Sequence, residues 1–264
     1  ALRQKLFDGP YYRLVHAEAD GLPGTVIDRY GDTLAVQVNC AGVELLLPEL
    51  LAALDQVLQP AAVLLRNSGG MRTLEALESY ERWAKGERSE PIEIAENGGR
   101  FLADLSGGQK TGWFFDQRDN RSRFSAAYRD ANVLDLYSYV GGWGVRAALR
   151  GAASVVCVDS SAPAVAATAK NAMRNDVARA VTAVRADVEK FLEEDQKHYD
   201  VVILDPPALV RRRKDLKSAG ALYRHLNRAA LNRVARGGLL VTCSCSAQLD
   251  AETHLGIIRA AARQ

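Results

Sequence analysis

From Asn132 to the end of the chain, short, mostly apolar runs alternate with amphipathic stretches of helical period. The runs are 133–136, 154–158, 181–185, 201–204 and 239–243, and the spacing predicts helices near 144–150, 162–174, 188–194, 221–235 and 251–262. A strand that is apolar on both faces offers water neither. It has to be covered on both sides, which a parallel sheet wrapped by its own crossover helices achieves. The predicted fold class is therefore α/β, a doubly wound Rossmann-like sheet. In such sheets ligands bind beyond the carboxyl ends of the strands, so the residues that follow each run are the ones to read for chemistry.

The segment before residue 90 follows a different rhythm. Stretches 25–29 and 33–38 flank Tyr30-Gly31-Asp32 as a hairpin, 43–58 carries apolar residues at helical spacing until Pro60, and 61–65 reads as a buried strand. This predicts a small α+β domain over 1–90. A polar stretch around residues 85–91 ends in Pro91, and 91–264 forms the second domain. That domain opens with a hairpin at 92–104 around Asn97-Gly98-Gly99, followed by a polar loop, a polar helix over 117–128 and the alternating core of 132–264. Hydrophobic content of 48% and charged content of 25% suit a soluble globular protein. No apolar run approaches the ~18 residues that span a bilayer, and no secretory pattern opens the chain. The four cysteines fit a reducing cytoplasmic compartment, and Cys243-x-Cys245 alone is not a zinc spacing, so no metal is expected.

The first core run leads into Tyr137-Ser138-Tyr139-Val140-Gly141-Gly142-Trp143-Gly144, where glycines allow close approach of a ligand to the backbone. Asp159 ends the second run eighteen residues beyond Gly141, a spacing suited to a ribose hydroxyl, with Ser160 beside it. The loop lacks G-x-G-x-x-G. Lys110-Thr111 imitates the end of a phosphate loop, but Gln109 stands where glycine is required. A cofactor without phosphates fits better. S-adenosylmethionine wants an acid near the first strand, one ending the second and one after the third, and Asp135, Asp159 and Asp187 occupy those places. The plainer reading is that each caps the helix that follows.

The fourth run delivers Asp205-Pro206-Pro207, whose prolines stiffen a loop beside the methyl group of such a cofactor. Amino-group methyltransferases follow a similar loop with an aromatic residue, whereas Ala208 and Leu209 stand here. The fifth run ends in Ser244-Cys245-Ser246, past a strand end and beside the Asp205 loop in the predicted sheet. C5 of a pyrimidine becomes nucleophilic only after addition at C6, which a thiolate performs. Cys245 is thus the candidate nucleophile and Asp205 the candidate partner of the base. Cys40 and Cys157 read as inert buried thiols. Tyr139, Trp143 and Tyr223 are candidates for stacking on a base, with core packing as the alternative.

These motifs, with Ser106-Gly107-Gly108-Gln109-Lys110-Thr111-Gly112-Trp113-Phe114-Phe115-Asp116-Gln117-Arg118 ahead of them, resemble in order the class I methyltransferases that form 5-methylcytosine in large-subunit ribosomal RNA. Residues 18–24 and 28–32 resemble that family's middle domain. The resemblance implies that Gln109, Asp116 and Arg118 help close a cofactor site built from Asp135, Tyr137, Ser138, Tyr139, Gly141, Gly142, Asp159, Ser160, Asp187 and Pro206. It implies Cys245 as the catalytic thiol, 23S ribosomal RNA as the partner, and a homodimer as one possible assembly. Family members usually carry an N-terminal PUA domain and a terminal β-hairpin, and neither is expected within these 264 residues.

Net charge is only +2, yet nine Lys/Arg face one acid between Arg211 and Arg236. Arg211, Arg212, Arg213 and Lys214 directly follow the Asp205 loop, which favours phosphate contact over a merely solvated face. Two other readings stay open: a methyltransferase of a protein or small molecule with a structural Cys245, and a non-catalytic RNA-binding relative.

Overall fold

A computed structural model describes residues 2–107, 111–210, 216–246 and 248–263. The chain forms two compact units, Ala1–Arg118 and Asp119–Gln264.

The first unit holds a five-stranded sheet in the order β1 (Tyr11–His16), β2 (Thr25–Tyr30), β3 (Thr33–Val38), β4 (Ala62–Asn67), β5 (Tyr80–Lys85). The predicted hairpin is β2–β3, with Tyr30 opposite Thr33 and Gly31 in the left-handed region. β3 and β4 run parallel. The helix expected between them is two helices, Ala41–Leu45 and Leu47–Leu58. Pro48 occupies the first turn of the second; having no N–H, it cannot continue the ladder of the first. The flanking strands β1 and β5 were not expected. The predicted second hairpin is β6 (Ile92–Glu96) with β7 (Gly99–Ala103), turned by Asn97 and Gly98, both at positive φ.

The first compact unit runs to Arg118 for a polar reason. Buried Asp28 takes both Nε and Nη2 of Arg13, at 2.9 and 3.0 Å, and also the hydroxyl of Thr111. Tyr30 Oη lies 3.2 Å from the same hydroxyl. Trp113 Nε1 donates to buried Glu96 at 2.8 Å, and Arg118 donates to the Tyr11 carbonyl. Residues 111–118 are thereby tied to the first sheet.

The second unit is the predicted parallel sheet. Its strands are β8 (Asn132–Leu136), β9 (Ser154–Asp159), β10 (Val181–Arg185), β11 (Tyr199–Leu204) and β12 (Val234–Thr242), in spatial order β10-β9-β8-β11-β12. Every pairing is parallel. One face buries Val133, Val155, Val201, Ile203 and Val241 with Trp143 and Ala147 of the helix Gly142–Leu149. The other buries Leu134, Leu136, Val158, Val202 and Leu204 under the helices Val188–Glu194 and Leu216–Leu231. Alternate residues thus enter two cores, which is why the runs are mostly apolar on both faces. The helices Ala162–Arg174, Val188–Glu194 and Ala251–Ala262 have the predicted bounds. The helix over 117–128 is shorter, Arg118–Arg123 with 3₁₀ turns on either side. β12 starts earlier than expected, because a bulge sets the four residues between Val234 and Leu239 opposite Asp200 alone, with Gly237 left-handed. The order places the topological switch between β8 and β11.

Candidate active site

At the switch point three loops are tied to one another. Asp159, at the end of β9, accepts the N–H of Tyr139 through Oδ2 and that of Ser161 through Oδ1, both at 2.9 Å. Trp143 Nε1 donates to Asp205 Oδ2 at 3.1 Å, joining the β8 loop to the β11 loop. Cys245 Sγ lies 3.9 Å from the Pro206 carbonyl oxygen, joining β11 to the turn after β12. Asp159, Asp205, Pro206 and Cys245 thus lie at the carboxyl end of the sheet. Pro206 is buried, Asp205 half-buried and Cys245 exposed.

The loop after β8 takes its shape from more than glycine. Tyr137 (φ 60), Tyr139 (φ 49) and Gly141 (φ 79) are all left-handed, a region costly for a residue with a side chain. Gly142 and Gly144 are helical. Gly144 is there for space: a Cβ would overlap Cys157 Sγ and sit 3.1 Å from both Asp135 Oδ2 and Val155 Cγ1. Two polar groups of the helix Ala162–Arg174 hold the loop. Thr168 Oγ1 donates to the Tyr139 carbonyl at 3.0 Å, and Asn171 Nδ2 donates to the Val140 carbonyl at 2.8 Å. Neither was singled out in the sequence, although polar residues three apart on an alanine-rich helix face were a usable signal.

The acids differ in kind. Asp187 is exposed and caps the helix Val188–Glu194, accepting the Lys190 N–H at 3.1 Å, which is the plainer of its two readings. Asp135 is wholly buried. It accepts the Gly144 N–H at 2.8 Å through Oδ2, while Oδ1 has no hydrogen-bond partner among the described residues. Burial pushes its pKa up to about 8; the Gly144 N–H opposes this, the charges of Asp205 and Asp159 add to it, and Arg121 opposes it. Burial also raises the thiol of Cys157, beside Asp135, in keeping with an inert cysteine. Burial raises the Tyr137 phenol too, with Glu189, Asp187 and Asp159 adding.

Trp143 and Tyr223 are not available for stacking on a base. Trp143 is in the core with its indole bonded to Asp205, and Tyr223 is fully buried. Each ring buries more apolar surface inside than a surface loop could offer, and each polar tip finds a partner there. Tyr139 is half-buried. Asp116 is exposed and Arg118 is engaged with Glu96 and the Tyr11 carbonyl, both within the first unit. Ser160 is exposed beside Asp159. Gln109, Arg211, Arg212, Arg213 and Lys214 lie outside the described residues. Among the described residues no helix is long and apolar enough to cross a membrane.

The sulfonium cofactor expected from the three acids needs hydrogen-bond partners and a backbone it can approach closely. Ser138 Oγ is buried with no hydrogen-bond partner among the described residues, in a loop left-handed at Tyr137, Tyr139 and Gly141. Asp159 keeps acceptor capacity beyond its two bonds, a carboxylate offering about four lone-pair sites. These residues fit such a cofactor.

Residues 61–261 match the family model described as S-adenosylmethionine-dependent methyltransferase. The ribosomal RNA large subunit methyltransferase I of Cronobacter sakazakii is 36% identical over 95% of the chain and 65% of its own length. The chain thus spans just under two thirds of the curated relative it matches. A Streptococcus mutans protein assigned as a SAM-dependent methyltransferase superposes with a TM-score of 0.81 at 25% identity, covering 95% of this chain and 65% of its own. Another solved structure, assigned as a methyltransferase and complexed with SAH, has a TM-score of 0.81 at 26% identity with the same coverage.

Proposed function

The chain belongs to the S-adenosylmethionine-dependent methyltransferase family, and from that premise we propose that it methylates C5 of a cytosine in large-subunit ribosomal RNA through a covalent adduct on Cys245. The observation that carries this reading is the exposed Cys245 beside the Pro206 carbonyl, one loop from Asp205. The relative's printed name supports ribosomal RNA as the substrate class.

Tyr137, Ser138, Tyr139, Gly141, Gly142, Asp159 and Ser160 would hold the cofactor, with Asp135 and Asp187 behind them and Pro206 on the facing loop. When bound, S-adenosylmethionine supplies an electrophilic methyl group for C5. Cys245, as thiolate, adds to C6 and pushes electron density onto C5. Asp205, itself held by the Trp143 indole, holds the base near N3. After C5 is methylated, a base removes its proton, the C5–C6 double bond reforms and the thiolate of Cys245 departs. Arg211, Arg212, Arg213 and Lys214 are assigned to phosphate contact.

RNA containing 5-fluorocytosine tests the chemistry, because fluorine at C5 cannot leave as a proton would. Wild type with S-adenosylmethionine is expected to form a stable protein–RNA adduct, and Cys245→Ala to form none. An adduct that survives Cys245→Ala but not Cys243→Ala reassigns the nucleophile. Methyl transfer without any adduct removes the covalent step.

A further inference from the structure

Ser244 and Ser246 flank Cys245, and both hydroxyls converge on one phenol. Tyr223 Oη lies 2.9 Å from Ser244 Oγ and 3.0 Å from Ser246 Oγ. Ser246 Oγ accepts the N–H of Val210 at 3.1 Å, and the Ser246 N–H donates to Ser244 Oγ at 3.2 Å. One directed chain satisfies all four contacts: Val210 N–H to Ser246, Ser246 O–H to Tyr223, Tyr223 O–H to Ser244, with Ser244 also accepting the Ser246 amide. The phenol belongs to the helix Leu216–Leu231, and its ring is immobilised in a small core with Val210 and Ala219, edge-on to His254 at 5.6 Å. The turn it grips follows the end of β12 and, among its described residues, belongs to no strand or helix.

We propose that Tyr223 is a positioning residue for Cys245. It pins the thiol-bearing turn and, through Ser246 and Val210, the far end of the segment that begins at Asp205. The Tyr223 hydroxyl thereby ties the turn of the nucleophile to the segment that carries the base-binding carboxylate. This rests on the reading of Cys245 as the nucleophile. Misplacing a reacting group by about 1 Å costs on the order of a hundredfold in rate, so a turn outside the regular elements needs such a clamp.

Tyr223→Phe keeps the ring and its packing and removes only the hydroxyl. The expected result is a fall in kcat of about tenfold or more, with KM for S-adenosylmethionine unchanged and the adduct on 5-fluorocytosine RNA forming correspondingly slowly. Ser246→Ala, a small change at the other end of the chain, is expected to behave alike, and Ser246→Thr, which keeps a hydroxyl, to recover most of the rate. The double variant Tyr223→Phe/Ser246→Ala is expected to lose little beyond the worse single one, because both break one chain. Wild type and Tyr223→Phe that trap equally fast with equal kcat overturn the positioning role alone. A kcat that falls only in step with cofactor affinity and thermal midpoint overturns it in favour of a structural role. Wild type that transfers methyl without trapping overturns the nucleophile reading, and the positioning role with it.

Discussion

Replacing Asp135 by asparagine should make the protein more stable at neutral pH. An unfolded aspartate ionises near 3.8, and this one, buried in β8, does so at about 8. Below pH 4 both states hold the proton and the carboxyl imposes no pH dependence. As pH rises from about 4 to 8 the unfolded chain releases the proton while the folded chain keeps it, so stability falls throughout that window and levels off above it. Each pH step is worth about 1.4 kcal/mol, which brings the cost at pH 7 to about 4 kcal/mol. Asparagine presents an oxygen to the Gly144 N–H in place of Oδ2 and never ionises. Its Nδ2 stands where Oδ1 already lacks a hydrogen-bond partner among the described residues, so that part of the penalty, about 1–3 kcal/mol for a buried polar group, is common to both chains. A gain of about 4 kcal/mol at pH 7, shrinking to nothing near pH 4, is the expected outcome. Urea unfolding read through Trp143, with Trp83 and Trp113 replaced by phenylalanine so that one indole of the three remains, isolates the second unit. Wild-type and Asp135→Asn stabilities that run parallel from pH 4.5 to 8 would refute the argument.

Gly144→Ala should lower the stability to unfolding by about 1–3 kcal/mol, because the new methyl meets Cys157, Asp135 and Val155, and the up to ~1 kcal/mol of helix propensity it gains does not offset that; an unmoved or raised urea midpoint contradicts the packing. Asp159→Ala releases the amides of Tyr139 and Ser161 as well as any ribose hydrogen bond, and calorimetry should find S-adenosylmethionine bound at least about tenfold more weakly; equal affinity would remove Asp159 from the cofactor site. Reversing the charge of Arg211, Arg212 and Arg213 should flatten the salt dependence of RNA binding by roughly 0.7 in log–log slope for each phosphate no longer neutralised, and an unaltered slope would return that run to a solvated face.

The parallel core was legible because its signal is local: five apolar runs and the helices between them state their own periods. Strands β1 and β5 were not, because each flanks its sheet and carries charge. β5 reads Tyr80-Glu81-Arg82-Trp83-Ala84-Lys85, and Glu81 is accommodated there by pairing with Arg66 on the neighbouring strand. The helix break at Leu46 was written in Pro48, but apolar periodicity ran across it. At the site, Asp159, Asp205 and Cys245 could be found because strand ends converge in any doubly wound sheet. The ties among them could not. Trp143 and Asp205 stand 62 residues apart, and Tyr223 precedes the serines it grips by 21 and 23, separations at which only the folded register decides who meets whom.

The backbone at Tyr137 and Tyr139 has a further consequence. A left-handed residue with a side chain costs about 1–2 kcal/mol; the ring of Tyr137 offsets this by packing against the core that holds Leu136 and Val158, so a chain shaped by folding stability alone would drift toward glycine or asparagine at Tyr139. Mutational scanning scored by abundance should therefore favour Gly at 139 but not at 137, and scanning scored by methyl transfer should reject it at both. The gap between those two landscapes at 139 would measure how much stability this loop forgoes to keep a side chain on the residue whose N–H binds the acid that ends β9.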